Sequence, residues 1–188
     1  MALDKILLGL LHEPKSGYDL KAEFDEGMAH FWSADQSQIY ATLKRLEDGR
    51  LLTSESRPSS RGPARRVYRR TAAGRRLLQE WLAGGPQVKE SRMPYLAQLA
   101  LMSELPEADA AGHHAARVRA DFEQRLALLQ AMQQRLFVDE GVTGPEELSG
   151  RTLHEYCTIR HGVLRLTALI QWCDESIQLL ARKKRARA

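Results

Sequence analysis

Between residues 35 and 49 the apolar positions recur at steps of four and three, the spacing of one face of an α-helix. These positions are Ile39, Leu43 and Leu46. Ser33 and Gln36 predict a capping box at the start of this helix, and Gly49 predicts a left-handed stop at its end. The opposite face carries small and polar residues followed by cations: Ser37, Ala41 and Lys44, flanked by Tyr40 and Arg45. Such a face can approach the major groove of DNA closely.

Two apolar segments before this helix predict two more helices. Residues 3–11 form one buried helix, and Ser16 caps a second helix that extends to about Met28 with Leu20 and Phe24 facing inward. Two short strand candidates follow the third helix, at residues 51–55 and 66–70. The turn-rich segment between them can join them as a hairpin. Three helices followed by a two-stranded ribbon predict a winged helix-turn-helix.

The predicted ribbon and the residues after it concentrate positive charge. No acidic residue occurs between Arg57 and Arg76, although the net charge of the whole chain is only +4. Arginines in such number favour contacts with phosphates, and binding of this kind weakens as salt rises. The eight arginines are Arg57, Arg61, Arg65, Arg66, Arg69, Arg70, Arg75 and Arg76.

Six short blocks in the N-terminal half resemble the PadR family of bacterial repressors in order and spacing. They are Leu7 to Leu11, Ser16 to Leu20, Phe31-Trp32, Gln38 to Tyr40, Thr42 to Glu47 and Val67 to Gly74. The resemblance covers residues 3–82. At Ser37 and Ala41 the chain departs from the glycine and proline usual in the family, so the base preference of relatives cannot be transferred.

The resemblance implies which residues contact DNA. Tyr18 would touch a phosphate, the third helix would supply base and phosphate contacts, and the wing arginines would follow the minor groove. A plainer interpretation stays open for Tyr18 as a surface side chain, and for Lys44 and Arg45 as a solvated helix face. Trp32 is predicted to anchor the core or a junction between helices rather than to contact DNA or a ligand. The predicted DNA-binding residues are Tyr18, Ser37, Gln38, Tyr40, Lys44, Arg45, Arg61, Arg65 and Arg66.

The chain is predicted to divide into a DNA-binding domain at residues 1–85 and a helical domain at residues 86–188. Gly84 and Gly85 end a fourth helix, which Thr71 caps and which buries Leu77, Leu78, Trp81 and Leu82. Further helices are predicted at residues 94–105, from Pro106 to about Val138, and at residues 153–182. The fold class is therefore mainly α, with an N-terminal winged helix-turn-helix and a C-terminal antiparallel helical dimerisation domain.

The last helix carries a heptad seam that would be buried against the preceding long helix and against a second copy of the chain. The predicted dimerisation residues are Tyr156, Ile159, Val163, Leu166, Ile170, Cys173 and Ile177. A two-fold homodimer predicts an inverted-repeat site on double-stranded DNA, with half-sites roughly 34 Å apart.

Composition narrows the class further. No segment is apolar for the ~18 residues that a membrane span requires, and no leader is recognisable, which predicts a cytoplasmic protein without a membrane partner. No catalytic motif or cofactor-binding loop is found, so the chain is predicted not to be an enzyme and to need no cofactor. His154, Cys157 and His161 share a helix face and would hold zinc or copper only if His113 or His114 joined them. Surface or packing roles are the ordinary alternative, and no metal is assigned.

These features predict a sequence-specific transcriptional regulator, a homodimeric repressor that an effector releases from its operator. The resemblance suggests a small aromatic effector, in a pocket lined by Trp172, Phe122 and Met132, with Tyr156 nearby. The same aromatic side chains could instead fill the dimer core. The competing function is a helical adaptor whose basic ribbon binds an acidic partner protein.

Overall fold

A computed structural model of the protein describes residues 2–59, 62–87, 93–107 and 109–185, without the side chains of 59, 62–64 and 183–185. The described residues form seven α-helices and three strands. They belong to two compact units, Met1–Lys89 and Glu90–Ala188. Within the described residues, no helix is both long enough and apolar enough to cross a membrane.

The first unit is a winged helix-turn-helix with one strand more than expected. Its elements are α1 (Ala2–Leu10), β1 (Lys15–Ser16), α2 (Gly17–Gly27), α3 (Gln36–Asp48), β2 (Leu52–Ser59), β3 (Gly62–Arg70) and α4 (Ala72–Ala83). The strands form an antiparallel sheet in the order β1-β3-β2. The unexpected strand β1 has only two residues, too few for a period-two pattern to be recognised in the sequence. The hairpin of β2 and β3 is called the wing below.

The predicted inward faces of the first three helices form the core of this unit. Phe24 and Leu20 are fully buried, together with Ile39 and Leu43 of α3. The α4 prediction was only partly right, because Leu77 and Leu78 pack against this core whereas Leu82 is 64% exposed. Trp32, in the segment between α2 and α3, is 37% exposed and is not part of the core, so its role as an anchor between helices stays a prediction.

The start and the end of α3 differ from the prediction. Asp35, not Ser33, is the N-cap, because its carboxylate accepts from the backbone N–H of Gln38 at 2.8 Å. Gly49 has a φ of −79° and is not left-handed. The left-handed residue is the next one, Arg50, with a φ of +56°.

Backbone hydrogen bonds explain why Arg50 takes this conformation. The Leu51 N–H donates to the carbonyl of Leu46 and the Arg50 N–H donates to that of Glu47, each at 2.8 Å. This is a Schellman-type end, in which the left-handed residue turns the chain from the helix into the next segment. The chain then enters β2. At the same end of the wing, after β3, Thr71 caps α4 as predicted.

The second unit is built on two long helices. Its elements are α5 (Pro94–Ala100), a 3₁₀ turn (Met102–Glu104), α6 (Ala110–Glu140), a second 3₁₀ turn (Pro145–Glu147) and α7 (Gly150–Arg185). The prediction that α6 starts at Pro106 was wrong. Leu105 is extended, with a ψ of 140°, as expected of a residue that precedes proline, and the helix resumes only at Ala110.

The helices α6 and α7 pack along one another in antiparallel directions. Near one end Arg119 of α6 donates to Asp174 of α7 at 2.6 Å, and further along Leu129 packs against Ile159 and Val163. The predicted α6 stripe therefore faces α7, with Ala115, Phe122, Leu129 and Leu136 buried. The pair forms a stable core for the unit within a single chain.

Candidate nucleic-acid interface

The face of α3 opposite the core is exposed and polar. Ser37, Gln38 and Lys44 are exposed, whereas Ile39 and Leu43 on the other side are fully buried. The amphipathic pattern thus turns the predicted DNA-facing residues outward, as a recognition helix requires. Tyr40 lies at the edge of this face with 39% of its side chain exposed.

The capping box determines which polar groups at the start of α3 remain available to hydrogen-bond a DNA base. Gln38 Oε1 accepts from the backbone N–H of Asp35 at 3.1 Å, and the Ser37 hydroxyl donates to the Asp35 carboxylate at 2.6 Å. The Gln38 oxygen is therefore used inside the protein, and its Nε2 hydrogens remain for an external acceptor. The hydrogen bonds that the Asp35 carboxylate accepts from the Ser37 hydroxyl and the Gln38 backbone N–H lower the pKa of Asp35, so this carboxylate is ionised at neutral pH.

Tyr40 is held by a close approach to the first turn of α2. A Cβ built on Gly17 would lie 2.6 Å from Tyr40 Cε1 and 2.8 Å from its hydroxyl oxygen. Only glycine leaves room for the ring at this point. The next residue, Tyr18, is 73% exposed.

Two of the predicted cationic contacts are engaged within the protein. Arg45 pairs with Asp4 of α1 at 2.5 Å, and Arg66 pairs with Glu47 of α3 at 2.6 Å. Lys44 and Arg65 are exposed and take part in no ion pair with the described side chains. Arg61 lies outside the described residues.

Sequence reasoning missed Glu47 and the role of Gly17. Glu47 is an acidic residue near the end of a helix whose outer face is cationic. This contrast in charge was the indication that Glu47 has a specific partner. For Gly17 the indication was weaker, because a glycine directly after an N-cap is commonly read as part of the turn. Both residues act through their neighbours, which only the folded chain brings together.

In the second unit, the residues predicted to form an effector pocket do not all meet. Tyr95 of α5 contacts Phe122 edge to face, with ring centroids 5.5 Å apart, and Trp172 with centroids 6.1 Å apart. Met132 instead packs with the cluster of Leu129, and Tyr156 packs against Phe137. The predicted pocket was therefore wrong for Met132 and Tyr156, because Met132 lies about three helical turns from Phe122 and Tyr156 lies about four and a half turns from Trp172.

A cleft of about 450 Å³ lies beside Tyr95 and Phe122. Its volume is within the usual range for small-molecule sites. Arg117, Arg125 and Arg165 contribute three cations to its lining, against the single carboxylate of Asp121. The remaining lining residues are Met93, Pro94, Gln98, His114 and Val118.

The seam of α7 is used largely inside the subunit. Ile159, Val163 and Cys173 are buried in the single chain. Large apolar side chains that stay exposed on the two long helices are Leu128, Val138, Leu164 and Leu179. Cys157 is exposed, and the described residues hold no group of three or more His, Cys, Asp or Glu side chains arranged for a metal ion.

Comparison with known families agrees with this geometry. Residues 6–80 match the transcriptional regulator PadR-like family, and residues 91–181 match a second profile described as virulence activator alpha C-term. Residues 6–80 are a PadR-like transcriptional regulator domain. The predicted family, the winged-helix fold class and the prediction that this regulator is not an enzyme are thereby confirmed.

One relative extends the likeness over both units. A probable transcriptional regulator of Mycobacterium tuberculosis is 27% identical over 188 residues, which cover 95% of this chain and 97% of the relative. The negative transcriptional regulator PadR of Bacillus subtilis is 35% identical over 86 residues, or 45% of this chain and 47% of that protein.

Solved structures share the whole fold. The Bacillus subtilis PadR structure in complex with operator DNA has a TM-score of 0.81 at 24% identity, covering 96% of this chain and 99% of that one. The Vibrio cholerae virulence activator AphA has a TM-score of 0.76 at 25% identity, with 96% and 99% covered. Bacillus subtilis PadR has also been solved with p-coumaric acid, and that structure has a TM-score of 0.77 at 23% identity.

Proposed function

We propose that the protein is a cytoplasmic, homodimeric repressor that occupies inverted-repeat operator DNA. The observation that carries this proposal is the exposed face of α3, which presents Gln38, Tyr40 and Lys44 beside a wing that carries Arg65. Small polar, aromatic and cationic side chains on one exposed helix suit a major groove lined by phosphates. Bacillus subtilis PadR is described as a negative transcriptional regulator and has been solved in complex with operator DNA, which supports the same assignment.

Each proposed contact has a distinct chemical role. Gln38 would read base acceptors, because its carbonyl oxygen is already bonded within the capping box. Lys44 and Arg65 would neutralise phosphates, and Tyr18 and Tyr40 would donate their hydroxyls to the backbone. Ser37 would allow close approach, and Arg61 would extend the wing contact. Arg45 could contact DNA only by leaving Asp4. Burial raises the pKa of Asp4, but the hydrogen bond from Arg45 lowers it, and the net shift is downward.

Selection of fragmented genomic DNA by the purified protein tests the proposal. Enrichment of a few inverted repeats near promoters at moderate salt is expected. Transcription from such a promoter should then fall when the protein is added to a reconstituted reaction. Retention of DNA without sequence enrichment, lost as salt rises, would overturn the proposal and favour a nonspecific or adaptor role for the basic wing.

The proposed dimer contact lies on the apolar side chains that α6 and α7 leave exposed. The predicted seam residues Tyr156, Leu166, Ile170 and Ile177 are only partly buried in one chain, so a second copy can still cover part of the seam. Leu164, at 54% exposure, and Leu179, at 59%, lie on the same helix. A partner that covers these side chains removes apolar surface from water, which stabilises association.

Replacing Leu164 by Glu is expected to convert the protein from a dimer to a monomer at micromolar concentration, because a buried unpaired carboxylate opposes association. Sedimentation analysis gives the mass directly. Thr158→Glu, at an exposed position about 120° around the helix from Leu164, is the matched control and should remain dimeric. A dimeric Leu164→Glu variant with an unchanged association constant would remove this helix face from the interface.

The proposed effector is a small aromatic acid that binds the cleft beside Tyr95 and Phe122. The aromatic rings supply a flat apolar wall, and the surplus of arginines over carboxylates favours an anion. That Bacillus subtilis PadR has been solved with p-coumaric acid supports this class of compound.

Titration with p-coumaric acid as the probe is expected to change the fluorescence of Trp172, which neighbours Tyr95, and to release the selected DNA. Arg165→Gln should weaken the binding about tenfold, as expected for the loss of one charge-assisted hydrogen bond. Arg160→Gln lies outside the cleft lining and should bind normally. Equal affinity of the two variants for the acid would place the effector elsewhere.

A further inference from the structure

Three side chains from three elements form a closed hydrogen-bonded ring between the recognition helix and the wing. Ser54 of β2 donates to Glu47 Oε1 at 2.6 Å, and Arg66 Nη2 of β3 donates to Glu47 Oε2 at 2.6 Å. Arg66 Nε donates to the Ser54 hydroxyl oxygen at 2.7 Å, which completes the ring. Each carboxylate oxygen therefore has its own donor, and the Ser54 hydroxyl both donates and accepts.

The strand register explains why the ring can form. Ser54 pairs with Tyr68 and Ser56 pairs with Arg66 across the ladder, so Ser54 and Arg66 are diagonal neighbours on one face of the wing. The guanidinium of Arg66 also lies 5.6 Å from the centre of the Tyr68 ring, which is 95% buried in the core of the unit. Arg66 is thus fixed from both sides.

We propose that Glu47 positions the wing on the recognition helix, and that Arg66 serves as the partner of Glu47 rather than as a phosphate ligand. This assignment rests on the proposed DNA-binding function for its consequence and on the ring for its geometry. The neighbouring Arg65 points to the other face of β3, because successive strand residues alternate, and it is the arginine left to neutralise a phosphate.

The ring joins the wing to α3 at a point beyond the base of the hairpin. At the base of the wing, Thr71 donates to the carbonyl of Leu51 and Arg70 donates to that of Leu8. The ring lies two to four residues farther toward the tip, and the described side chains provide no other hydrogen bond between α3 and the wing. β1 pairs with the other edge of β3 at Val67 and Tyr68, so the ring is what joins the outer part of the hairpin to α3, and without it that part would be free to move relative to α3.

The ionisation of the ring suits a permanent tether. The hydrogen bonds from Ser54 and then Arg66 lower the pKa of Glu47, and the bond to Glu47 raises the pKa of Arg66. Glu47 therefore remains an anion well below neutral pH. The tether is expected to weaken only when the pH falls through this lowered pKa, since protonation removes the charge that Arg66 binds.

The sign of one substitution separates positioning from simple electrostatics. Removing a negative charge near DNA normally strengthens binding. If Glu47 did no more than neutralise Arg66, the Glu47→Gln variant would therefore bind DNA more tightly than wild type. The proposal expects the opposite, a loss of about tenfold in affinity for the duplex selected by the wild-type protein. Asp48→Asn removes an exposed acid from the adjacent position and should bind as well as wild type or slightly better.

Salt dependence then distinguishes the two adjacent arginines. Arg65→Ala should reduce the slope of the logarithm of affinity against the logarithm of salt by about one for each half-site, as expected for a lost phosphate contact. Arg66→Ala should weaken binding with the slope unchanged. A reduced slope for Arg66→Ala, or tighter binding by Glu47→Gln, would overturn the proposal.

Hydrogen exchange of the DNA-free protein tests the tether even if the DNA-binding proposal fails. In Glu47→Gln, amides of residues 53–57 and 65–69 should exchange faster than in wild type, whereas those of α1 and α2 should not. The same pattern is expected for Ser54→Ala, which removes one bond and no charge. Unchanged exchange in the wing of both variants would show that the ring does not hold it.

Discussion

Replacing Tyr40 by Ala is expected to weaken binding to the selected operator about a hundredfold while the protein remains folded and dimeric. A direct contact of this kind contributes about 1–3 kcal/mol, and a two-fold dimer loses two of them at once. About 1.4 kcal/mol for each half-site already corresponds to a hundredfold for the dimer. A filter-binding or anisotropy titration at fixed salt measures the change.

Two control variants distinguish a specific effect of losing Tyr40 from the effect of losing any exposed aromatic ring. Phe31→Ala removes a 47% exposed ring from the same unit, outside the proposed DNA-binding face, and should leave affinity unchanged. Tyr40→Phe isolates the hydroxyl from the ring. An affinity within threefold of wild type for Tyr40→Ala would be incompatible with a DNA contact at this position.

The orientation of Tyr40 can be tested without altering Tyr40 itself. In Gly17→Ala the new methyl group would lie 2.6 Å from Tyr40 Cε1, so the ring must move. The nearest atoms belong to the far end of a side chain, which makes the structural adjustment inexpensive. A smaller loss of affinity than in Tyr40→Ala is therefore expected, with little change in stability.

The periodicity of apolar residues was sufficient to place the helices of the DNA-binding unit. Burial of Ile39, Leu43 and Leu46 follows directly from their spacing, and it alone sets which side of α3 faces outward. The element ends were less certain, because several capping residues compete within a few positions. Ser33 and Asp35 each have a glutamine three residues later, so the sequence pattern alone could not choose between them, and both capping-box bonds form at Asp35 and Gln38.

The ion pairs of the interface were beyond the reach of the sequence. Arg45 pairs with Asp4, 41 residues away in the sequence, and Arg66 pairs with Glu47, 19 residues away. No local sequence pattern predicts pairs at such separations. Sequence reasoning could count arginines as a basic surface, but it could not separate those already paired from Lys44 and Arg65. The aromatic cluster of the second unit shows the same limit, because Tyr95 comes from a separate short helix.

Replacing Gly74 by Ala is expected to destabilise the DNA-binding unit by about 3 kcal/mol, the upper end of the cost of overpacking a core. Helix propensity alone predicts the opposite sign, because alanine is favoured over glycine by about 1 kcal/mol in a helix. The added Cβ would lie 2.3 Å from the backbone carbonyl oxygen of Leu51 and 3.0 Å from Leu8 Cδ2. Packing should therefore outweigh propensity at this position.

The Leu51 carbonyl cannot easily yield to the new methyl group. It accepts from the backbone N–H of Thr71 at 3.1 Å and from the Thr71 hydroxyl at 3.0 Å, so a shift weakens the bonds that join α4 to the wing. Gly27→Ala is the matched control, since nothing lies within 4 Å of its added Cβ, and its stability should be unchanged or slightly higher.

Urea unfolding of the full chain measures both variants, and exchange of core amides such as that of Leu43 assigns the loss to the first unit. A Gly74→Ala variant as stable as Gly27→Ala would mean that α4 can move away from the base of the wing. In that case the tight contact would not hold the wing in place, and Glu47 would be left as the principal tether between the wing and the recognition helix.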